Sequence, residues 1–416
     1  MRCLIPFTTA AVLAVPTAVS AAPDTTLAGA FRDGTPILNL RYRYEYVDQD
    51  NPLNNADAHT LRTRIGFATA PLYGVTAVLE GDNVTRIGAD HYNDSRNGEG
   101  DYSLVPDPTG SHVNQALLRH QGDYGTTTLG RQRFGLDNQR FIGGAAWRQN
   151  EQTFDAASLA LTPNERITAT YAYIDQVSTV FGPEGHAGAG GYRNNGATID
   201  SDSHLFNLSI TIAPALNVVL YHYRFDLEDL ALAPTAPFET QSSRNTGVRF
   251  TGRHGAIRYA VEYAQQSDIA GNPWSLDSDY YLAELSYNAE RWMVKAGHEV
   301  LGGGEDAPNS AFQTPLGTKH LYQGWADQFL VTPADGVKDS YAGGSVALLG
   351  GKLQAWYHDF RAEQGGQRYG SEMDLAYGRP VPGVKGLSAI LKGTRYWEDG
   401  FSVDTDKLWL QLQYQY

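Results

Sequence analysis

Apolar and polar residues alternate with a period of two through most of this chain, and the clearest run is its last. In DKLWLQLQYQY, Leu408, Leu410, Leu412, Tyr414 and Tyr416 alternate with Lys407, Trp409, Gln411, Gln413 and Gln415. That period predicts a strand with one greasy and one polar face. PILNLRYRYEYV repeats it: Leu38, Leu40, Tyr42, Tyr44 and Tyr46 have the parity opposite to Asn39, Arg41, Arg43 and Glu45. A dry core cannot take two arginines and a glutamate on one strand face, whereas a water-filled lumen can.

The same template predicts strands near 36–47, 59–69, 74–85, 112–121, 126–134, 152–161, 166–176, 203–212 and 217–226. Nine more fall near 244–252, 256–266, 279–288, 291–300, 339–349, 352–361, 370–378, 386–396 and 406–416. The connections alternate between short turns, such as Ala213-Pro214-Ala215 and Gly350-Gly351, and longer polar loops, such as Arg86 to Gly110, Val177 to Asp202 and Leu301 to Lys338. The expected fold is therefore all-β: a closed antiparallel transmembrane barrel of about eighteen strands, with short periplasmic turns, long extracellular loops and both termini periplasmic. The template strains at two points. Leu129 has the parity of Arg131 and Arg133, which predicts a bulge or a displaced strand, and Leu117 and Leu118 leave their faces ambiguous.

The N-terminus adds a destination. Arg2, an apolar run from Leu4 to Val19 broken by Pro6 and Pro16, and the small residues Ser20-Ala21-Ala22 predict a signal peptide over 1–21. A short periplasmic segment, 22–35, then leads into a barrel over 36–416. The single cysteine, Cys3, lies in the removed segment, so the mature chain has no disulfide. No stretch after the signal is long and apolar enough for a spanning helix. With 25 Tyr, 7 Trp and 44 Gly at a mean hydropathy of −0.38, the composition is aromatic yet polar, and the formal charge of −14 argues against nucleic-acid binding. The expected partners are outer-membrane lipid and lipopolysaccharide, the barrel-insertion machinery through the strand ending on Tyr416, and an anionic or saccharide-like solute.

Arginine marks the positions predicted to face the lumen. In a hairpin centred near residue 52, Arg41 falls opposite Arg64 and Arg43 opposite Arg62, and like charges so placed call for anions. Those anions are either fixed carboxylates such as Glu45, Glu80 and Asp82, or a passing solute. Arg131, Arg133, Arg140, Arg148, Arg166, Arg224, Arg249 and Arg258 extend the basic path, with Glu151 and Glu262 among them. One reading is a solvated wall fixed by ion pairs. The other is a path that grips carboxylate bidentately. No G-x-S-x-G elbow and no H-E-x-x-H pair occurs, the 11 histidines are scattered singly, and the glycine-rich run Gly185 to Gly196 joins strand to strand. Neither an enzyme nor a cofactor is expected.

Two segments resemble the alginate-export-type outer-membrane barrel family: GRQRFGLDNQRFIGGAAWRQNEQTFDA, from Gly130 to Ala156, and FQTPLGTKHLYQGWADQFLVTP, from Phe312 to Pro333. The matching positions are Arg131, Arg133, Asp137, Asn138, Arg140, Arg148 and Glu151, then Thr314, Pro315, Trp325, Ala326 and Asp327. Gln328 departs from the family pattern, where a basic residue follows Gly-Trp-Ala-Asp. The resemblance implies an arginine-lined barrel passing an acidic polysaccharide or smaller anions. Both segments lie in loops, and Trp325 and Asp327 are candidates for a constriction. Three functions follow: a channel for anionic or saccharide-like solutes, an export conduit for an acidic exopolysaccharide such as alginate, or a barrel that displays its loops as a receptor or adhesin.

Overall fold

The computed structural model describes residues 26–182, 196–304 and 308–416. The predicted signal peptide and most of the glycine-rich run lie outside the described residues. A short helix, α1 (Leu27–Arg32), is capped by the Thr26 hydroxyl and leads into the first strand.

Eighteen antiparallel strands follow. They are β1 (Thr35–Gln49), β2 (Ala56–Ala68), β3 (Val75–Arg86), β4 (Gly110–Gly122), β5 (Gly125–Gln132), β6 (Thr153–Asn164), β7 (Ile167–Ser178), β8 (Thr198–Ala213) and β9 (Leu216–Phe225). The second half comprises β10 (Ser243–His254), β11 (Ile257–Asp268), β12 (Asp277–Asn288), β13 (Trp292–Leu301), β14 (Val337–Leu348), β15 (Gly351–Arg361), β16 (Arg368–Pro380), β17 (Leu387–Glu398) and β18 (Thr405–Gln415). Each pairs with its neighbours in sequence, and β1 pairs with both β2 and β18. The sheet closes on itself, so no strand edge is left without hydrogen bonds.

Parity decides which side chains fill the barrel. On β18, Trp409 and Gln411 are buried inside while Leu408, Leu410 and Leu412 stand on the outer wall. Outer leucines are bare, Leu79 at 61% exposure and Leu391 at 53%. The interior is mixed. An apolar cluster that includes Phe141, Ile142, Phe154, Ile174, Phe312 and Leu316 joins inward wall residues to two long loops that fold into the lumen. They are loop A (133–152), between β5 and β6, and loop B (302–304 and 308–336), between β13 and β14.

The first hairpin is registered two residues from its expected place. Arg41 faces Arg62, Arg43 faces Thr60, and Asn39 faces Arg64, because the last pair before the connection is Val47 with Ala56. A shift of two leaves every side chain on its own face. The strained spots also resolve. Leu118 and Leu129 pair on the outer wall and Leu117 points inward, with Asn114 as the extra residue in β4. β5 needs no bulge: Thr128 and Gln132 are its buried inward residues.

Candidate functional site: a two-loop partition across the lumen

Loop A crosses the interior and is tied at both ends. Near its start, the Asp137 carboxylate accepts hydrogen bonds from Asn207 Nδ2 on β8 at 2.8 Å and from Tyr223 OH on β9 at 3.3 Å. Asn138 caps the Arg140 amide, and its carbonyl accepts from Tyr322 OH at 2.6 Å. Arg140 then reaches Glu299 of β13 at 2.8 Å, both side chains almost free of solvent. It also donates to Thr314 Oγ1 and Gln323 Oε1, and its guanidinium lies 4.6 Å from the Tyr322 ring centre.

The far end of loop A rests on β1 to β3. Arg41 Nη1 donates to the carbonyls of Ala146, Trp147 and Arg148 at 3.0, 3.4 and 3.2 Å. Arg43 donates to the Trp147 carbonyl and to Gln411 Oε1, and Arg62 to the Gln149 carbonyl at 3.5 Å and Asn39 Oδ1 at 2.8 Å. Glu151 closes the loop between Arg64 at 2.9 Å and Arg133 at 2.5 Å. Arg64 meanwhile grips Asp82 with two nitrogens at 2.6 and 2.7 Å, and Glu80 contacts both Arg64 and Arg133. Arg43 and Arg62, each 1% exposed, are anchors beneath loop A rather than groups a solute can touch.

Loop B packs on loop A. Ile142 bridges to Leu316, and Thr318 Oγ1 donates to Gln139 Oε1 at 2.9 Å. Gly143 is needed there, because a Cβ would stand 2.2 Å from Thr318 Oγ1. Further on, the amides of Trp325 and Ala326 donate to Glu372 Oε1 of β16. Trp325 forms one wall of an aromatic box around Lys392 of β17, whose Nζ lies 3.8 Å from the ring centre of Trp325, 4.2 Å from that of Trp147 and 5.0 Å from that of Trp409. One cation thus holds both loops and β18 together.

The same Nζ sits 2.6 Å from His320 Nε2, and His320 Nδ1 sits 2.7 Å from Asp327 Oδ1. With an ammonium donating to Nε2, the ring is neutral and its Nδ1–H donates to Asp327. Burial, aided by Lys392, brings the His320 ring down to about 3. Burial pushes the Asp327 carboxyl up, but His320, Lys407 at 3.4 Å and Arg148 at 3.5 Å outweigh it and hold it far below the ordinary range. Arg148 also pairs with Glu45 at 3.0 Å. In Glu151 burial is likewise outweighed by Arg64 and Arg133, which bring it to about 2.

These depressed carboxyls set a pH window. A group lowered in the folded state contributes stability above its unfolded pKa, about 4.3 for Glu, and loses it as pH falls through the folded value. The partition is therefore expected to stay intact from neutrality to about pH 4 and to loosen between there and pH 2. Trp147 emission, taken as the difference from Trp147→Phe, reads this; a transition near pH 6 would contradict it.

Of the remaining expected pore residues, Arg249 and Glu262 form a buried ion pair on the inner wall across from β1, with Tyr221 OH 2.8 Å from Glu262. Three arginines are elsewhere than expected. Arg131 stands on the outer wall, where it grips Asp155 at 2.6 and 2.8 Å, since it shares the outward parity of Leu129. Arg166 is exposed in the two-residue turn before β7. Arg224 points outward and pairs with Asp226 at 3.0 Å.

Arg258 does have the inward parity, at the short-turn end of β11 and directly opposite Arg253. Together with Arg119 of β4 and Lys352 of β15 it lines the turn-side interior, and no carboxylate lies within 4.0 Å of these four among the described residues. Sequence reading missed Arg119, Arg253, Lys352 and Lys392. For each the signal was its inward parity in the ladder. Among the described residues no cluster of three or more His, Cys, Asp or Glu could hold a metal ion.

Solved barrels share this architecture. OpdO of Pseudomonas aeruginosa matches with a TM-score of 0.70 at 14% identity, over 93% of this chain and 98% of that one. The fold is that of the Occ/Opd barrels. OccAB4 of Acinetobacter baumannii gives 0.66 at 15% identity over 92% and 98% of the two chains. OpdK of Pseudomonas aeruginosa, solved with vanillate, gives 0.68 at 12% identity over 93% and 99%. No family model and no curated protein matches the sequence. The resemblance to alginate-export barrels is not supported. Its two segments are the partition loops A and B, whose glycine, arginine and aromatic residues serve the packing just described.

Proposed function

We propose that the chain is an outer-membrane porin-type channel for small anionic solutes, carboxylates among them. Bare leucines around a closed barrel call for hydrocarbon as their solvent, which a membrane supplies. Loops then face the medium, while turns and termini face the periplasm.

The observation that carries the anionic reading is the turn-side wall: Arg119, Arg253, Arg258 and Lys352 are inward, reached by water and, among the described residues, unpaired with acid. Like charges directly opposite, as Arg253 and Arg258 are, destabilise a sheet unless an anion joins them. Arg41 adds a half-buried guanidinium whose partners at the partition are carbonyls and an amide rather than acids. That OpdK was solved with vanillate, an aromatic carboxylate, agrees with this chemistry. Two loops joined across the lumen suit small solutes better than a continuous polymer.

The test is uptake into liposomes containing the purified barrel. Benzoate is expected to enter severalfold faster than benzamide, its neutral counterpart; equal rates, or faster entry of benzylamine, would count against the anionic reading.

A further inference from the structure

Outside the lumen, the outer wall carries a guanidinium, Arg244, that has no acid partner among the described residues. Near the loop end of β8 to β12 an open hollow of about 660 Å³ is lined by His222, Arg244, Thr246, Gln265, Ser267 and Asp277, among others. Arg244 donates from Nε and Nη2 to Ser267 Oγ at 3.1 and 2.9 Å, and no carboxylate lies within 4.0 Å of it among the described residues. It stands directly opposite Arg224, which in turn faces His204. His222 Nδ1 lies 2.9 Å from Thr246 Oγ1. Acids flank the row, each with a partner of its own: Asp226 on Arg224, Asp202 at 3.7 Å from His204, and Asp277 accepting from Gln265.

Below this hollow, toward the barrel's waist, begins a groove of about 460 Å³ on the same outer wall. Leu159, Leu161, Ala169, Phe206, Leu208 and Leu220 line it, and His222 and Thr246 belong to both. A polar hollow holding the Arg244 guanidinium near the loop end therefore opens into an apolar groove lower on the same wall.

We propose that this wall is a binding site for a phosphorylated, acylated glycolipid of the outer leaflet. The phosphate is received by Arg244 and His222, with Arg224 alongside, and an acyl chain lies along the groove from Leu220 to Leu159. Arg244 selects the headgroup: its partner is a neutral hydroxyl, and the guanidinium it faces across the strand pair already holds Asp226, so an anion is the partner it lacks. The occupant is a lipid because this face of a membrane barrel meets only lipid. The inference thus rests on the outer-membrane reading above.

Native mass spectrometry of the full-length barrel in detergent, titrated with lipid A, tests it. Wild-type protein is expected to retain lipid A, and Arg244→Ser with His222→Asn to weaken retention about tenfold, the size of one lost charge-assisted hydrogen bond. Arg244→Lys, which keeps the charge, should retain most of the binding, and Arg395→Ser, removing an outward arginine paired with Asp404 and Asp406, all of it. Leu220→Ser should weaken lipid A retention, and millimolar inorganic phosphate should not displace the lipid. Equal retention by wild type and the double variant, or displacement by inorganic phosphate, overturns the site. A barrel that conducts ions in bilayers yet lacks this site-dependent retention keeps the channel reading and loses the lipid site. Retention without conduction does the reverse.

Discussion

Arg140→Ala is expected to raise the single-channel conductance of the barrel severalfold and make it unsteady. Among the described residues Arg140 is the one guanidinium facing Glu299, and both are buried. Deleting it leaves the carboxylate with Tyr280 OH at 2.8 Å and the Gln323 amide, and an uncompensated buried charge costs roughly 3–5 kcal/mol. Thr314 and Gln323 of loop B lose their partner at the same time. Loops A and B then separate where they meet. Arg140→Met combined with Glu299→Gln removes the stranded carboxylate and should bring conductance most of the way back. Conductance of Arg140→Ala equal to wild type would mean that the Arg140 link does not hold the partition.

The second large effect concerns selectivity without change of shape. Replacing Arg119, Arg253 and Arg258 together by serine is expected to move the zero-current potential in a salt gradient toward cations while conductance stays near wild type. These side chains are exposed on the turn-side wall and tie down no loop. The variant therefore removes three positive charges from the field along the lumen and leaves the partition alone. Serine at Arg41, Arg43, Arg62 and Arg64 is a less informative choice, because the first three hold the backbone of residues 146–149 and Arg64 holds Glu151. Loss of selectivity there would be mixed with a loosened loop. An unchanged potential in the triple-serine protein would assign selectivity to the partition instead.

The strands were legible in the sequence because parity is local. Tyr42 and Arg43 differ in environment by one position in the chain, and a period of two records that directly. Register was legible only to within two residues, since Arg41 opposite Arg62 or Arg64 satisfies the same alternation. Arg131 was misread for a related reason: its charge suggested the lumen, while its shared parity with Leu129 pointed outward, and parity prevailed because Asp155 on the neighbouring strand neutralises it outside.

The partition was the illegible part. Arg140 with Glu299, or Lys392 with Trp147, Trp325 and Trp409, joins residues far apart in sequence through contacts that no spacing encodes. What the sequence did offer was type: Trp409 on the polar face of the last strand, and arginine where a wet wall needs only some polar group. Several of those arginines proved to be structural, so the basic path shortened at the loops and lengthened toward the turns.

The preference of the lumen for anions is read from the zero-current potential of the wild-type barrel in a planar bilayer under a potassium chloride gradient. The expected sign is that of chloride carrying the larger share of the current; a potential of the sign set by potassium would contradict it.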